Sequence, residues 1–369
     1  MEKFASLEGT KSFASRHSAS KNFFSSNDSF FISSISLGGF TPEPYREENY
    51  LFSFKEAFIK SVELGNNYFD SSLFFRYTKS SLELGEALGE IFAKGLATRE
   101  EVVLSAKAGF IPFCYPMPKN PYVWIEDELV KKGICEPSDI HSDQYALNPK
   151  FLEFTLLKSL EMLGVKGIDI FYIQNPEFLK GEAGEEEFEK GIKAAFEACE
   201  EFVGKGIIKS YGITAWNGFF YEHEHPEYLS LQRLIEIAKS VAGDKHSFRY
   251  IQFPYGLGKV HAATLKTQDI SGKKMSIFEA GAELGVDMIT LSPFLRMNIF
   301  KKPFSPSFRA LCGGAAMSDV QRALLFASSN GFALSSVFGS TNPEHIEHNF
   351  EIKDIEKIAP QSYAKIFGL

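Results

Sequence analysis

The stretch Ser159–Glu177, SLEMLGVKGIDIFYIQNPE, decides the fold. Its first half closes a helix that the apolar spacing predicts over Phe151–Leu163, and Gly164 follows the last turn, where a residue without Cβ can take the left-handed conformation. Its second half opens a short apolar and β-branched run, Ile168–Ile173. A helix that stops on glycine and feeds a strand a few residues later is one step of a β/α alternation.

The same step recurs along the chain. Predicted strands are Ile35–Leu37, Tyr68–Asp70, Val102–Ser105, Ile168–Ile173, Ile208–Ile213, Tyr250–Phe253, Met288–Leu291 and Leu334–Phe338. Predicted helices between and after them are Phe54–Glu63, Leu82–Phe92, Phe151–Leu163, Glu186–Val203, Ser230–Val241, Ser276–Glu283, Asp319–Ser328 and Pro343–Asn349. In the first helix Phe54, Ala57, Phe58 and Val62 share one stripe, while Lys55, Glu56, Lys60 and Glu63 lie off it. Gly65 and Gly285 close two other helices as Gly164 does. Eight strand-helix pairs in order describe an α/β class protein, a (β/α)8 TIM barrel.

Such a barrel needs about 250 residues. The rest of the 369 lies in an N-terminal extension, residues 1–30, and in loops after strand C-terminal ends: Phe110–Pro149, Trp216–Tyr228 and Leu295–Gly314. Long loops on that rim are where barrels bind ligands. No linker interrupts the rhythm, so a single domain over 1–369 is expected. The phenylalanine pairs Phe23–Phe24 and Phe30–Phe31 are expected to cover the barrel's bottom or flank.

With 39 basic against 47 acidic residues, a formal charge of -8 and 44% hydrophobic residues, the chain is globular and lacks a basic patch for nucleic acid. No segment has the roughly 18 uninterrupted apolar residues of a membrane helix, and the N-terminus has no secretion-signal core. Cys114, Cys135, Cys199 and Cys312 form no C-x-x-C, which suits a reducing cytoplasm. His223 and His225 in HEHPE have no third ligand in view, and no metal is assigned. The acidic run Glu185–Glu187 opens a helix, where negative charge suits the dipole. Neither the Gly-x-Gly-x-x-Gly fingerprint nor a P-loop is present.

Asp70 in NNYFDSS and Lys107 in VVLSAKAGF emerge from neighbouring predicted strand ends, so an acid and a base converge on one mouth. A structural ion pair at the rim accounts for them; so does a site in which the lysine lowers a neighbour's pKa or steadies an oxyanion.

From Ile35 to Asn349 the chain resembles the aldo-keto reductase superfamily, in a long-loop branch. GNNYFDSS is similar to G-x-x-x-[FI]-D-T-[AS], and SLEMLGVKGIDIFYIQNPE to S-L-x-x-L-x-x-x-x-I-D-x-[YF]-x-[IL]-H-x-P-E. GKGIIKSYGITAWNGF, IQFPYGL, LSPFL and FGSTNPEHIEHNF resemble the family's later motifs in the same order. The resemblance implies a catalytic set of Asp, Tyr, Lys and His. Asp70 and Lys107 match two of these. The Tyr position is Phe75, with Arg76, Ser80 and Gly85 keeping the frame, and the His position is Gln174, which donates a hydrogen bond but does not titrate.

The implied activity is hydride transfer from reduced NADP (NADPH), with NADH as the alternative, to a small-molecule substrate carrying a carbonyl or related electrophile. Without a hydroxyl at Phe75, three readings stay open: Tyr77 or Tyr145 takes over as proton donor, the reaction needs little acid help, or the nucleotide is bound without turnover. For the cofactor, the resemblance assigns Gln252 and Thr214 to the carboxamide, Leu291 to the ring face, and Ser292 and Phe294 to the strip beside it. It assigns Gly339, Ser340, Thr341, His345 and Asn349 to the phosphate and adenine end. Ala215 stands where Asn is frequent, and His345 where Arg or Gln is, which leaves the 2'-phosphate preference open. Oligomeric state is open too, a monomer included.

Overall fold

The computed structural model describes residues 2–17, 23–40, 51–312 and 316–366. Eight parallel strands close into a barrel: β1 Ile35–Gly38, β2 Tyr68–Asp70, β3 Val103–Ala108, β4 Ile168–Gln174, β5 Ile208–Thr214, β6 Phe248–Pro254, β7 Asp287–Leu291 and β8 Ser335–Phe338. Each pairs with the next and β8 pairs with β1, so no edge is left unpaired.

The outer helices are α1 Lys55–Glu63, α2 Lys79–Ala93, α3 Pro149–Leu163, α4 Glu177–Gly204, α5 Leu231–Ala242, α6 Ile277–Glu283, α7 Asp319–Ser328 and α8 Pro343–Phe350. Every predicted strand and helix is found, with ends displaced by a few residues. The largest displacement is at α4, which begins at Glu177 and kinks at Gly184 (φ 84, ψ 177). Glu185–Glu187 therefore fall in the first turn beyond the kink, the position that suits their charge. Gly65, Gly164 and Gly285 take φ of 108, 65 and 66, as helix-closing glycines do.

The N-terminal extension contributes a helix, Leu7–His17, and a hairpin of Phe24–Ser26 with Phe31–Ser33. Phe30 is buried with Tyr68, Val103, Ile170 and Tyr172 in the barrel interior, and Phe23 packs edge-on to Phe350. The hairpin turn is pinned there by Asn27, whose Nδ2 donates to Tyr250 OH (2.9 Å) and Asp287 Oδ2 (2.7 Å). Asp169 on β4 fastens the extension: its Oδ1 accepts from Ala5 N–H (2.7 Å), and its Oδ2 from Arg99 Nη2 (2.9 Å) and Leu104 N–H (2.8 Å).

The insertion at 110–149 folds over a small core of its own, Ile111, Ile125, Leu129, Cys135 and Ala146, joined by Phe151. The far end of the loop expected at Leu295–Gly314 lies outside the described residues. No helix among the described residues is long and apolar enough to cross a membrane.

Candidate active site

Strand period places the charged floor. Asp70 is the last residue of β2 and pairs in register with Ser105 on β3; Lys107 stands two residues on, on the same face as Ser105. Asp70 Oδ1 accepts from Lys107 Nζ (2.5 Å), Ser105 Oγ (2.9 Å) and Gln252 Nε2 (2.9 Å). Gln252, fully buried on β6, accepts from Lys107 Nζ with its Oε1 (2.6 Å). The ammonium lies 4.7 Å over the Tyr172 ring. Burial pushes the Lys107 pKa below the usual lysine value, and Asp70 opposes that by holding the charge in place.

Above this floor lies a cavity of about 540 Å³, walled by Phe74, Phe75, Phe110, Gln174 and Trp216, that continues past Ser292–Phe294 to Gly339, Ser340 and Thr341. Gln174 Oε1 accepts from Ser72 Oγ at 3.0 Å, which orients the amide with Nε2 as its remaining end. Phe75 stands in the wall, edge-on to Phe40 at 5.5 Å.

Of the residues proposed from the sequence, the cavity brings together Asp70, Lys107, Phe75, Gln174, Thr214, Leu291, Ser292, Phe294, Gly339, Ser340 and Thr341. Tyr77 is outside the lining, in a left-handed turn formed by Arg76, Tyr77 and Thr78 (φ 50, 55 and 70). That turn is held by buried Arg76, which donates through Nη1 to Glu83 Oε2 (2.5 Å) and through Nη2 to the Phe52 carbonyl (2.5 Å). Tyr145 is also outside the lining, fully buried between Phe110 and Phe178 at 5.4 and 5.5 Å. Gln252 sits beneath the cavity with both ends of its amide engaged by the ion pair. His345 and Asn349 lie on α8 away from the lining, the first exposed and the second buried.

Sequence reasoning missed the device that fixes Trp216. Glu177 Oε1 accepts the Trp216 N–H at 2.6 Å, Lys259 Nζ donates to the Trp216 carbonyl at 3.2 Å, and the same ammonium lies 5.1 Å over the indole. Glu177 follows Gln174 by three residues in a quoted motif and was within reach; Lys259 joins across 43 residues with no local signal. Burial raises the Glu177 carboxyl to about 7 and lowers Lys259 to about 8.

The raised carboxyl has a definite sign. Between its ordinary 4.5 and its folded value near 7, the folded state binds more protons than the unfolded one, so stability falls as pH rises, by at most about 1.4 kcal/mol per pH unit. Glu177→Gln keeps the acceptor for Trp216 and removes the charge. Its melting temperature is expected to gain on the parent's from pH 5 to pH 8; parallel curves would assign the slope to other groups.

Comparison with known proteins agrees with this architecture. Residues 34–237, more than half of the chain, match the Aldo/keto reductase family. A solved structure of the thermostable aldo-keto reductase Tm1743, in complex with the inhibitor epalrestat, superposes with a TM-score of 0.60 at 14% identity, covering 94% of this chain and 98% of that one. Aldo-keto reductase AKR11C1 from Bacillus halodurans, in its holo form, gives 0.58 at 14% identity with 92% of each chain covered. No curated protein sequence matches. A closed parallel barrel with that family match over most of its strands allows one conclusion: the chain belongs to the aldo-keto reductase family.

Proposed function

We propose that the protein is an NAD(P)H-dependent oxidoreductase of aldo-keto reductase type, acting on a small organic carbonyl or related electrophile. The buried Lys107–Asp70 pair, 2.5 Å apart on the cavity floor, carries this reading. Support for the nucleotide comes from the strip beyond it. At Gly339 a Cβ would lie 2.8 Å from the Phe40 carbonyl, so glycine lets the two chain segments pass closely there, and Ser340 and Thr341 lead into the start of α8, a setting that favours anions. Thr214 remains as a polar contact for a carboxamide. Aldo-keto reductases generally use NAD(P)H, and NADP is the family's commoner choice.

When bound, the reduced nicotinamide supplies a hydride to an electrophilic carbon. Gln174 donates from its amide to the oxygen that gains negative charge, and Lys107 lends a positive field from below. The balancing proton comes from water, because Phe75 has none to give. Acid assistance is worth about 10² to 10⁴ in rate, so activated electrophiles such as quinones, enones or imines are favoured over simple ketones. Stopped-flow mixing with NADPH and a panel of aldehydes, quinones and enones tests this; consumption no faster than in Lys107→Met removes it.

A second reading, a nucleotide-binding protein without turnover, is favoured by Phe75 and Gln174 standing where a proton donor and a titrating imidazole are expected. Micromolar NADPH binding by calorimetry with no consumption supports it. Absence of binding removes both readings.

A further inference from the structure

The strand register sets one side chain apart at the foot of the barrel. Tyr211 on β5 pairs with Phe248 on β6 and Gly212 pairs with Tyr250, so Arg249 between them has no opposite residue and forms a bulge. A bulge re-aims side chains, and here it divides the two neighbours. Phe248 packs on Phe196 and Tyr211, whereas Tyr250 joins the buried cluster that holds Phe30, Tyr68 and Tyr172. Arg249 itself is left exposed at the rim, and its guanidinium makes no hydrogen bond or ion pair among the described residues.

Arg249 lines a second cavity, of about 720 Å³, between the hairpin turn and the N-terminal ends of β5, β6 and β7, the end of the barrel away from Lys107. Two further cations line it. Lys209 lies 4.4 Å over the Phe30 ring and donates to the Ala5 carbonyl at 3.1 Å, which leaves other N–H groups to spare; Lys245 is exposed and has no partner among the described residues. His246, 7% exposed in the same wall, carries an Nδ1 with no partner. Two carboxylates face these groups. Asp287 is already answered by the Asn27 amide at 2.7 Å, so Asp28 in the turn is the one left to oppose an anion. The carbonyls that close α6 add little negative field, because those of Gly281 and Ala282 accept from Val286 N–H (2.8 Å) and Gly285 N–H (3.4 Å). In a chain of formal charge -8, this groove gathers donors in excess of acceptors.

We propose that this basal groove is a binding site for a small oxyanion of two or more charges, a phosphate ester or a polycarboxylate, held in the fork of Arg249 with Lys209 and Lys245 beside it. The groove shares no lining residue with the cavity above Lys107, so the site stands whatever that cavity reduces.

The test uses the full chain and calorimetric titration with pyrophosphate, citrate and acetate at constant ionic strength. Pyrophosphate or citrate is expected to bind at least about tenfold more tightly than acetate, since charge-assisted bonds add with each anionic group. Preference for pyrophosphate identifies a phosphate ester as the ligand, and preference for citrate a polycarboxylate. Arg249→Gln, a change at an exposed position, is expected to weaken the favoured probe at least about tenfold. Asp28→Asn removes the opposing carboxylate and is expected to tighten it about two- to fivefold. A footprint on the unaltered chain locates the site independently: the favoured probe at saturation is expected to slow acylation of Lys209 and Lys245 by an N-hydroxysuccinimide ester, while Lys193, exposed on α4, reacts as before. Binding no tighter than acetate overturns the proposal. So does affinity that survives Arg249→Gln, which places the anion elsewhere, the strip at Gly339–Thr341 included, and so does acylation of Lys209 and Lys245 that the probe leaves unchanged.

Discussion

Substituting Phe75→Tyr together with Gln174→His is expected to raise the rate of aldehyde reduction with NADPH by about 10² to 10⁴, the worth of general acid assistance. Phe75 already stands in the wall of the cavity whose floor is Lys107, so the change adds an oxygen to a ring whose place is taken. A phenol beside a buried ammonium has its pKa lowered, since the positive charge favours the phenolate. The imidazole at position 174 restores a donor that titrates near neutrality. The gain should appear in kcat. A double variant that only matches the parent, while still folded by circular dichroism and still binding NADPH, would show that the wall does not present its ring as a reductase does.

Asp70→Ala is expected to cost about 3 to 5 kcal/mol of folding stability at pH 7, because it strands the Lys107 charge in the interior. The pH dependence sharpens this. Lys107 already titrates below the 10.5 of an ordinary lysine, and without Asp70 its folded value falls further. Between the folded value and 10.5 the unfolded chain binds more protons, so stability rises with pH across that window. The deficit of the variant should therefore shrink between pH 7 and pH 10. Urea unfolding at both values checks it; an identical deficit at each would mean that Asp70 acts by packing alone.

The framework was legible because local rules write it. Apolar spacing gave α1 its face, glycines at 65, 164 and 285 closed their helices, and β2 and α7 were delimited to the residue. Asp70 and Lys107 were placed at one mouth because strand ends converge there. What escaped depends on partners distant in sequence. Gln252 was expected at a carboxamide, yet its amide bridges Asp70 and Lys107, which lie 182 and 145 residues away. Tyr77 looked close to the site along the chain, but a left-handed turn of three residues, none of them glycine, carries it clear. Trp216 gave no hint of its clamp, which comes from the first residue of α4, Glu177, and from Lys259 after β6.

The hairpin at the base of the barrel bears on the opposite end of the molecule. Phe30 belongs to the same buried cluster as Tyr68 and Tyr172, and those two rings touch the pair above: Tyr68 OH donates to Asp70 Oδ1 at 3.5 Å, and Lys107 rests over Tyr172. Only a few side chains separate the stopper from the lysine. Burial depresses this lysine, and Phe30 is one of the side chains that fill the interior on which the charged floor rests.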